Sequence, residues 1–293
     1  MADHQPGILD HVPSAGRYLT FTMRPGGAFR AALAALVQFA DGERIVVGVS
    51  LKLVTALGAT IPGLLAAPSY DRPGATVPST PGDLWCWLRD SDRGAILHLS
   101  RRISALLAPG FEVHQSLDAF KHGIGLDLTG YEDGTENPKG EAALAAAIVS
   151  GSGPGMDGSS FVAVQQWTHD FSKFDALGSE AQDRAIGRRR FDNVEIVAAP
   201  PSAHVKRTAQ ESFAPEAFLF RRSMPWVAGD RGGLMFVAFG HSFDAFAAQL
   251  ARMAGVEDGV VDALFTFSQP VTGGYFWCPP WRHGRIKATL LGL

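Results

Sequence analysis

From Tyr18 to Met23 apolar and polar residues alternate, with Leu19, Phe21 and Met23 on one face. The period then changes, and Phe29, Leu33, Leu36, Val37 and Ala40 recur at helical spacing. Further strands are predicted at Arg44 to Val49, at Asp83 to Leu88 and around Phe111 to Ala119, with a helix near Arg93 to Leu107 before the last of them. The order is therefore β-α-β-β-α-β. A chain patterned this way buries its apolar faces by laying its helices on one face of an antiparallel sheet.

The second half is patterned alike. Phe161 to Thr168 reads as a strand, Ser179 to Gly187 as a helix, and Ala217 to Met224 and Leu234 to Phe239 as strands. Phe243, Phe246, Ala247, Leu250 and Met253 mark a last helix. The halves share this pattern without a residue-level repeat. The expected fold class is α+β: two ferredoxin-like α/β sandwich domains with antiparallel sheets, of the dimeric α+β barrel type, spanning residues 1–130 and 131–293. A chain of 293 residues suits two such units, each able to bury a core. The connection falls between Lys121 and Gly140, and ligand clefts favour such joins.

Composition excludes several classes. With 46% hydrophobic and 19% charged residues the chain is globular, and a net charge of -3 argues against a nucleic-acid partner. The N-terminal MADHQPGILDHVP has no apolar core for a secretory signal. The Ala-rich stretch from Ala142 to Val149 is far shorter than the ~20 residues of a membrane span. Cys86 and Cys278 lie in apolar or aromatic surroundings and read as reduced thiols, so a cytoplasmic location is expected.

The connection holds GYEDGTENP, Gly130 to Pro138, which sets the carboxylate of Asp133 among turn formers. It is no EF-hand, because Pro138 and Leu144 stand where that loop needs Gly and Glu. Nor is SGSGPGMDGSS, Ser150 to Ser160, a phosphate loop: no Lys-Ser or Lys-Thr follows the glycines, and the next apolar run reads as a strand. None of the nine histidines forms an HExxH pair and neither cysteine a CxxC, which leaves zinc little support. His204 follows Pro200-Pro201-Ser202, which would present it from a rigid, extended segment as a candidate metal ligand. His169, in QQWTHDF, is its chief rival, and His241 reads as a strand-end residue.

Three segments, GYEDGTENP, SAHVKRT at Ser202 to Thr208 and FLFRRSMPW at Phe218 to Trp226, together resemble the dye-decolourising peroxidase family, in particular its bacterial, cytoplasmic-type branch. The likeness runs from QPGIL through QQWTHDF and AIGRR to TGGYFW. It implies a haem b cofactor with His204 as the axial iron ligand, and Asp133 and Arg221 on the distal side. Ser223 stands where the family has a small polar residue. Gly134, Thr135 and Asn137 are carried over as cofactor contacts, and Arg188 as the partner of the haem propionates, with Arg189, Arg190, Lys206 and Arg207 as alternatives. Many relatives carry Asp or Gln at the Arg222 position and some Asn at the Ser223 position, so the pocket's hydrogen bonding departs from theirs.

The implied activity is reduction of hydrogen peroxide with oxidation of dyes, phenols or similar small organic donors. Asp133 would shuttle a proton between the peroxide oxygens, and Arg221 would stabilise the charge that develops as the O–O bond breaks. A carboxylate base implies an acidic optimum. Arg221 and Arg222 are neighbours on a predicted strand and must face opposite ways, with Ser223 sharing Arg221's face and Arg222 solvated or ion-paired. Trp167, Trp226, Tyr131 and Trp281 are candidate stations of an aromatic relay, or packing residues. The competing function is a haem-handling or iron-releasing protein with incidental peroxidase activity. The resemblance also implies a homo-oligomer, dimer or higher; from charge and hydropathy no nucleic-acid or membrane partner is expected.

Overall fold

The computed structural model describes residues 3–293. The first half forms strands β1 (Ala15–Met23), β2 (Ile45–Val49), β3 (Leu84–Asp90) and β4 (Phe111–Phe120), with helices α1 (Phe29–Phe39) and α2 (Arg93–Leu107). Both helices start where the sequence predicts. In α2, Asp92 caps the start by accepting from Gly94 N–H, and Ile96, Ser100, Ile103 and Leu107 form its buried stripe. The strands pair in the order β4-β1-β3-β2, all antiparallel.

The second half repeats this arrangement. It comprises β5 (Ser160–His169), α3 (Ser179–Ile186), the short helix α4 (His204–Arg207), β6 (Phe220–Arg221), β7 (Met224–Ala228), β8 (Arg231–Gly240), α5 (Asp244–Met253), β9 (Ser268–Pro270) and β10 (Gly274–Cys278). β10 pairs β5, β5 pairs β8, and β8 pairs both β6 and β7. With β6 and β7 taken together, this is again the order fourth-first-third-second, so both halves are ferredoxin-like.

β2 and β10 join the halves through the register pair Val49 and Trp277, making one ten-stranded sheet. Its far ends approach, with β7 against β4, so the sheet curls into a barrel. Gln115 of β4 hydrogen-bonds Gln166 of β5 across the interior. Alternation then sorts the side chains into two cores. Tyr18, Trp85, Trp87, Val237, Phe239 and Phe276 fill the barrel, whereas Leu19, Cys86, Trp167 and Trp277 point outward beneath the helices. The cysteines are free and buried, and burial pushes both thiols up.

Two strand expectations change. The run from Ala217 to Met224 is not one strand: its ladder breaks between β6 and β7, where Ser223 Oγ accepts from Val237 N–H (3.3 Å). β10 goes unpredicted because all five of its residues are buried, which removes the two-residue alternation. The hairpin of Trp281–Arg282 and Arg285–Ile286 packs back beside α1, with Trp281 Nε1 donating to Asp41 O at 2.7 Å. No helix among the described residues is long and apolar enough to cross a membrane.

Candidate active site

A cavity opens on the outer face of the second half. β5 contributes Gln165, Trp167 and His169 to its wall, β8 contributes Leu234 and Phe236, and α5 contributes Phe246, Leu250 and Met253. The space between the atoms, mouth included, is about 880 Å³. Asp133, His204 and Arg221 all line it, and all three also line an adjoining crevice with Arg188 and Lys206. Residues that lie far apart in the chain thus converge as the motifs imply.

The turn at Gly130 to Pro138 is built by backbone geometry. Gly130 and Gly134 have φ of 88° and 77°, and Asp133 N–H donates to Gly125 O at 3.0 Å. A Cβ on Gly134 would stand 3.0 Å from Asn137 Nδ2. That amide holds the backbone of Arg221 from both sides: Asn137 Oδ1 accepts from Arg221 N–H (2.8 Å) and Nδ2 donates to Arg221 O (3.0 Å). Asn137, expected as a cofactor contact, therefore docks the Asp133 turn onto β6. Thr135 Oγ1 accepts from Asn193 Nδ2 at the crevice.

Register places Arg221 opposite Ala238, on the outward face shared with Phe236, so its side chain enters the cavity. Arg221 Nε is buried with no hydrogen-bond partner. Arg222 does face away, half-buried and without an ion pair. Its guanidinium lies 3.8 Å over the Phe220 ring and donates to Leu9 O at 2.7 Å. Burial, then the charge of Arg89, brings it down to about 10. Ser223 lies buried where the ladder breaks. It lines a different crevice, with Asp133, Asn137 and Arg221.

His204 opens α4, because Pro200 O accepts from Ala203 N–H and turns the chain before the helix. It is thus presented by a helix start, not by the extended segment expected. His204 Nδ1 meets Asp262 Oδ2 at 2.8 Å, and the Asp262 side chain is fully buried and also caps Leu264 N–H. Sequence reasoning missed Asp262. It lies 58 residues from His204, and no spacing rule marks it.

The rival His169 has both ring nitrogens engaged, with Ser268 Oγ at 2.7 Å and Asp127 Oδ1 at 3.0 Å. It has no free nitrogen for a metal. Burial alone would raise Asp127. The hydrogen bond and charge of His169, with two bonds from Thr129, outweigh it and hold the carboxyl below its usual range.

Among the basic residues, Arg188 bonds Glu136 at 2.5 Å and Asn193 O at 2.9 Å, and Lys206 bonds Glu195 at 2.5 Å. Both line the crevice. Arg189 is paired with Asp192, Arg190 with Gln182 and Arg207 with Asp258, all away from it.

A family model described as Dyp-type peroxidase, C-terminal, matches residues 125–283, more than half of the chain. The chain belongs to the dye-decolourising peroxidase family. It is 31% identical to the dye-decolorizing peroxidase of Mycolicibacterium paratuberculosis over 71% of this chain and 60% of that protein. The corresponding figures for that of Mycobacterium tuberculosis are 30%, 71% and 64%. It thus spans under two thirds of the length of these dye-decolourising peroxidases. Against solved structures it superposes on a dye-decolorizing protein from Vibrio cholerae with a TM-score of 0.84 and 27% identity, covering 94% of this chain and 96% of that one. For DyPB from Rhodococcus jostii the values are 0.86, 26%, 94% and 95%, and a variant of that protein is in complex with heme.

Proposed function

We propose that this protein is a haem peroxidase of the dye-decolourising type, reducing hydrogen peroxide and oxidising dyes, phenols or similar organic donors. The observation that carries the reading is the cavity lined at once by His204, Asp133 and Arg221. The residues present fit a haem. His204 commits Nδ1 to a buried carboxylate, which fixes the tautomer and leaves Nε2 as the ligating nitrogen. Leu234, Phe236, Phe246, Leu250 and Met253 offer apolar surface for a macrocycle, and Arg188 and Lys206 offer charge for its propionates. The buried, unpartnered Nε of Arg221 is a donor waiting for an acceptor in that space.

Bound there, haem iron would supply the redox centre at which peroxide is reduced and from which donors are oxidised. The chain's own groups manage protons and charge. Asp133 accepts a proton from one peroxide oxygen and returns it to the other, so that water can leave. Arg221 keeps its charge and stabilises the negative charge that grows as the O–O bond breaks. The apolar wall keeps water away, which strengthens that interaction. The buried, unpaired cysteines support a reducing, cytoplasmic setting.

The test is an absorption titration of the purified protein with haemin, then one equivalent of hydrogen peroxide, for wild type, His204→Ala and Asp133→Asn. The expected result is a saturable Soret band at one haem per chain, with altered ligation in His204→Ala and a slowed peroxide reaction in Asp133→Asn. Unchanged haem binding without His204 would overturn the axial assignment. An unchanged peroxide rate in Asp133→Asn would favour a haem-handling protein instead.

A further inference from the structure

Residues 5–12 form a strap against the barrel. The Gln5 amide fixes it to β2, accepting from Val47 N–H at 2.8 Å and donating to Val47 O at 2.9 Å, and Ile8, Leu9 and Val12 pack against the barrel core. Two arginines hold the strap from the barrel side. Arg89 of β3, only 5% exposed, donates to His11 O at 2.5 Å, to Glu43 O at 2.8 Å and to Asp10 Oδ2 at 3.2 Å. Arg222 donates to Leu9 O at 2.7 Å and to Arg221 O at 3.2 Å. The two guanidiniums thus dock on strap carbonyls only two residues apart.

Their charge is not balanced. Among the described residues Asp10 is the only carboxylate that either guanidinium meets, its side chain is 49% exposed, and its other oxygen accepts from His11 N–H at 2.8 Å. Nε of both arginines is buried with no hydrogen-bond partner, and so is Nε1 of Trp87. Buried donors without an acceptor, and a buried cation without a counter-charge, both cost free energy. These groups surround one spot. The Arg89 guanidinium lies 4.8 Å over the Trp87 ring, which Tyr18 stacks against, and Gly16 of β1 is the register partner of Arg89. A Cβ on Gly16 would stand 3.1 Å from Trp87 Nε1 and 3.0 Å from Met224 Sδ, so glycine keeps the spot clear. Burial, then the charge of Arg89, brings Arg222 down to about 10, so the two cations act on each other.

We propose that Arg89, Arg222 and Trp87 bind one small monovalent anion of the halide class, held by the two Nε–H groups and the indole N–H. One negative charge balances the arginine that Asp10 leaves uncompensated. A water molecule would satisfy the donors and leave that charge, and a divalent oxyanion would exceed it. Guanidinium is weakly hydrated, which suits a halide more than a strongly hydrated anion. Arg222, His11 and Val12 also line a crevice of about 810 Å³, mouth included, which gives the spot a route to solvent. Asp133 and Arg221 line the same crevice, so the bound anion locks the strap beside the groups assigned above to the peroxide reaction. The anion site does not depend on that assignment.

The probe is bromide, applied to the full chain as purified. Melting temperature is followed while sodium bromide replaces sodium gluconate at constant ionic strength, in wild type, Arg222→Gln and Arg89→Gln, and bromide-soaked crystals are read by anomalous diffraction. The expected result is a saturable rise on the order of 5 °C in wild type, lost in both variants, and an anomalous peak in contact with Arg89 Nε, Arg222 Nε and Trp87 Nε1. Arg222 is half-buried, so Arg222→Gln keeps the test decisive where Arg89→Gln fails to fold. The same saturable rise in Arg222→Gln, or bromide peaks on the surface only with water on the three donors, would overturn the site.

Discussion

At the scale of single residues, the site is governed by carboxylates that never face the reaction. Asp262 holds His204 Nδ1 from a fully buried position, and such partners typically set 10–100-fold in affinity or activity. Asp262→Asn is therefore expected to lower haem affinity by about tenfold or more, measured by competitive transfer of haem to an apo-globin. Asp127 plays the same part for His169. Its carboxyl is held below the usual range, so the stability it contributes is fully present above the unfolded value of about 3.9 and is lost as pH falls through the lower folded value. Melting temperatures of wild type and Asp127→Asn should accordingly differ at pH 5 and converge below about pH 4. A gap that widens with acid would contradict this.

At the scale of elements, the docking of the Asp133 turn on β6 is the critical contact. β6 is only two residues long, and its backbone at Arg221 is held by the side chain of Asn137. Asn137→Ala strands a donor and an acceptor, so a loss of about 2–3 kcal/mol is expected in denaturant unfolding, with slower reaction with peroxide as Arg221 loses its anchor. Unchanged stability would mean that water replaces the amide. The same elements show what the sequence discloses. α1 and α2 were legible because a helix buried on one face repeats its apolar residues at helical spacing. β10 was not, because Gly274 to Cys278 are buried on both faces and carry no alternation. Asp133, His204 and Arg221 were legible through the three motifs that carry the family resemblance. Asp262, Asp127 and the clamp of Asn137 were not, since they act through contacts 42 to 84 residues apart that only the folded chain brings together.

At the scale of the whole molecule, two ferredoxin-like halves share one sheet, and the seam between β2 and β10 rests on Trp277, which is fully buried. The hairpin after β10 returns to α1, so the first half is completed by a piece of the second half's chain. The two halves should therefore unfold in one transition, coincident by circular dichroism and by fluorescence. Trp277→Ala should cost about 3–5 kcal/mol and split that transition in two. The barrel also has an optical consequence. Of the six tryptophans, Trp85, Trp87, Trp167, Trp226 and Trp277 are at most 5% exposed, and Trp167 forms part of the cavity wall. Burial of this degree should place their emission at the blue end of the indole range. A porphyrin beside Trp167 would absorb that light by resonance transfer, so the protein dims as it fills and brightens as it empties, a built-in gauge of cofactor occupancy readable without any added dye.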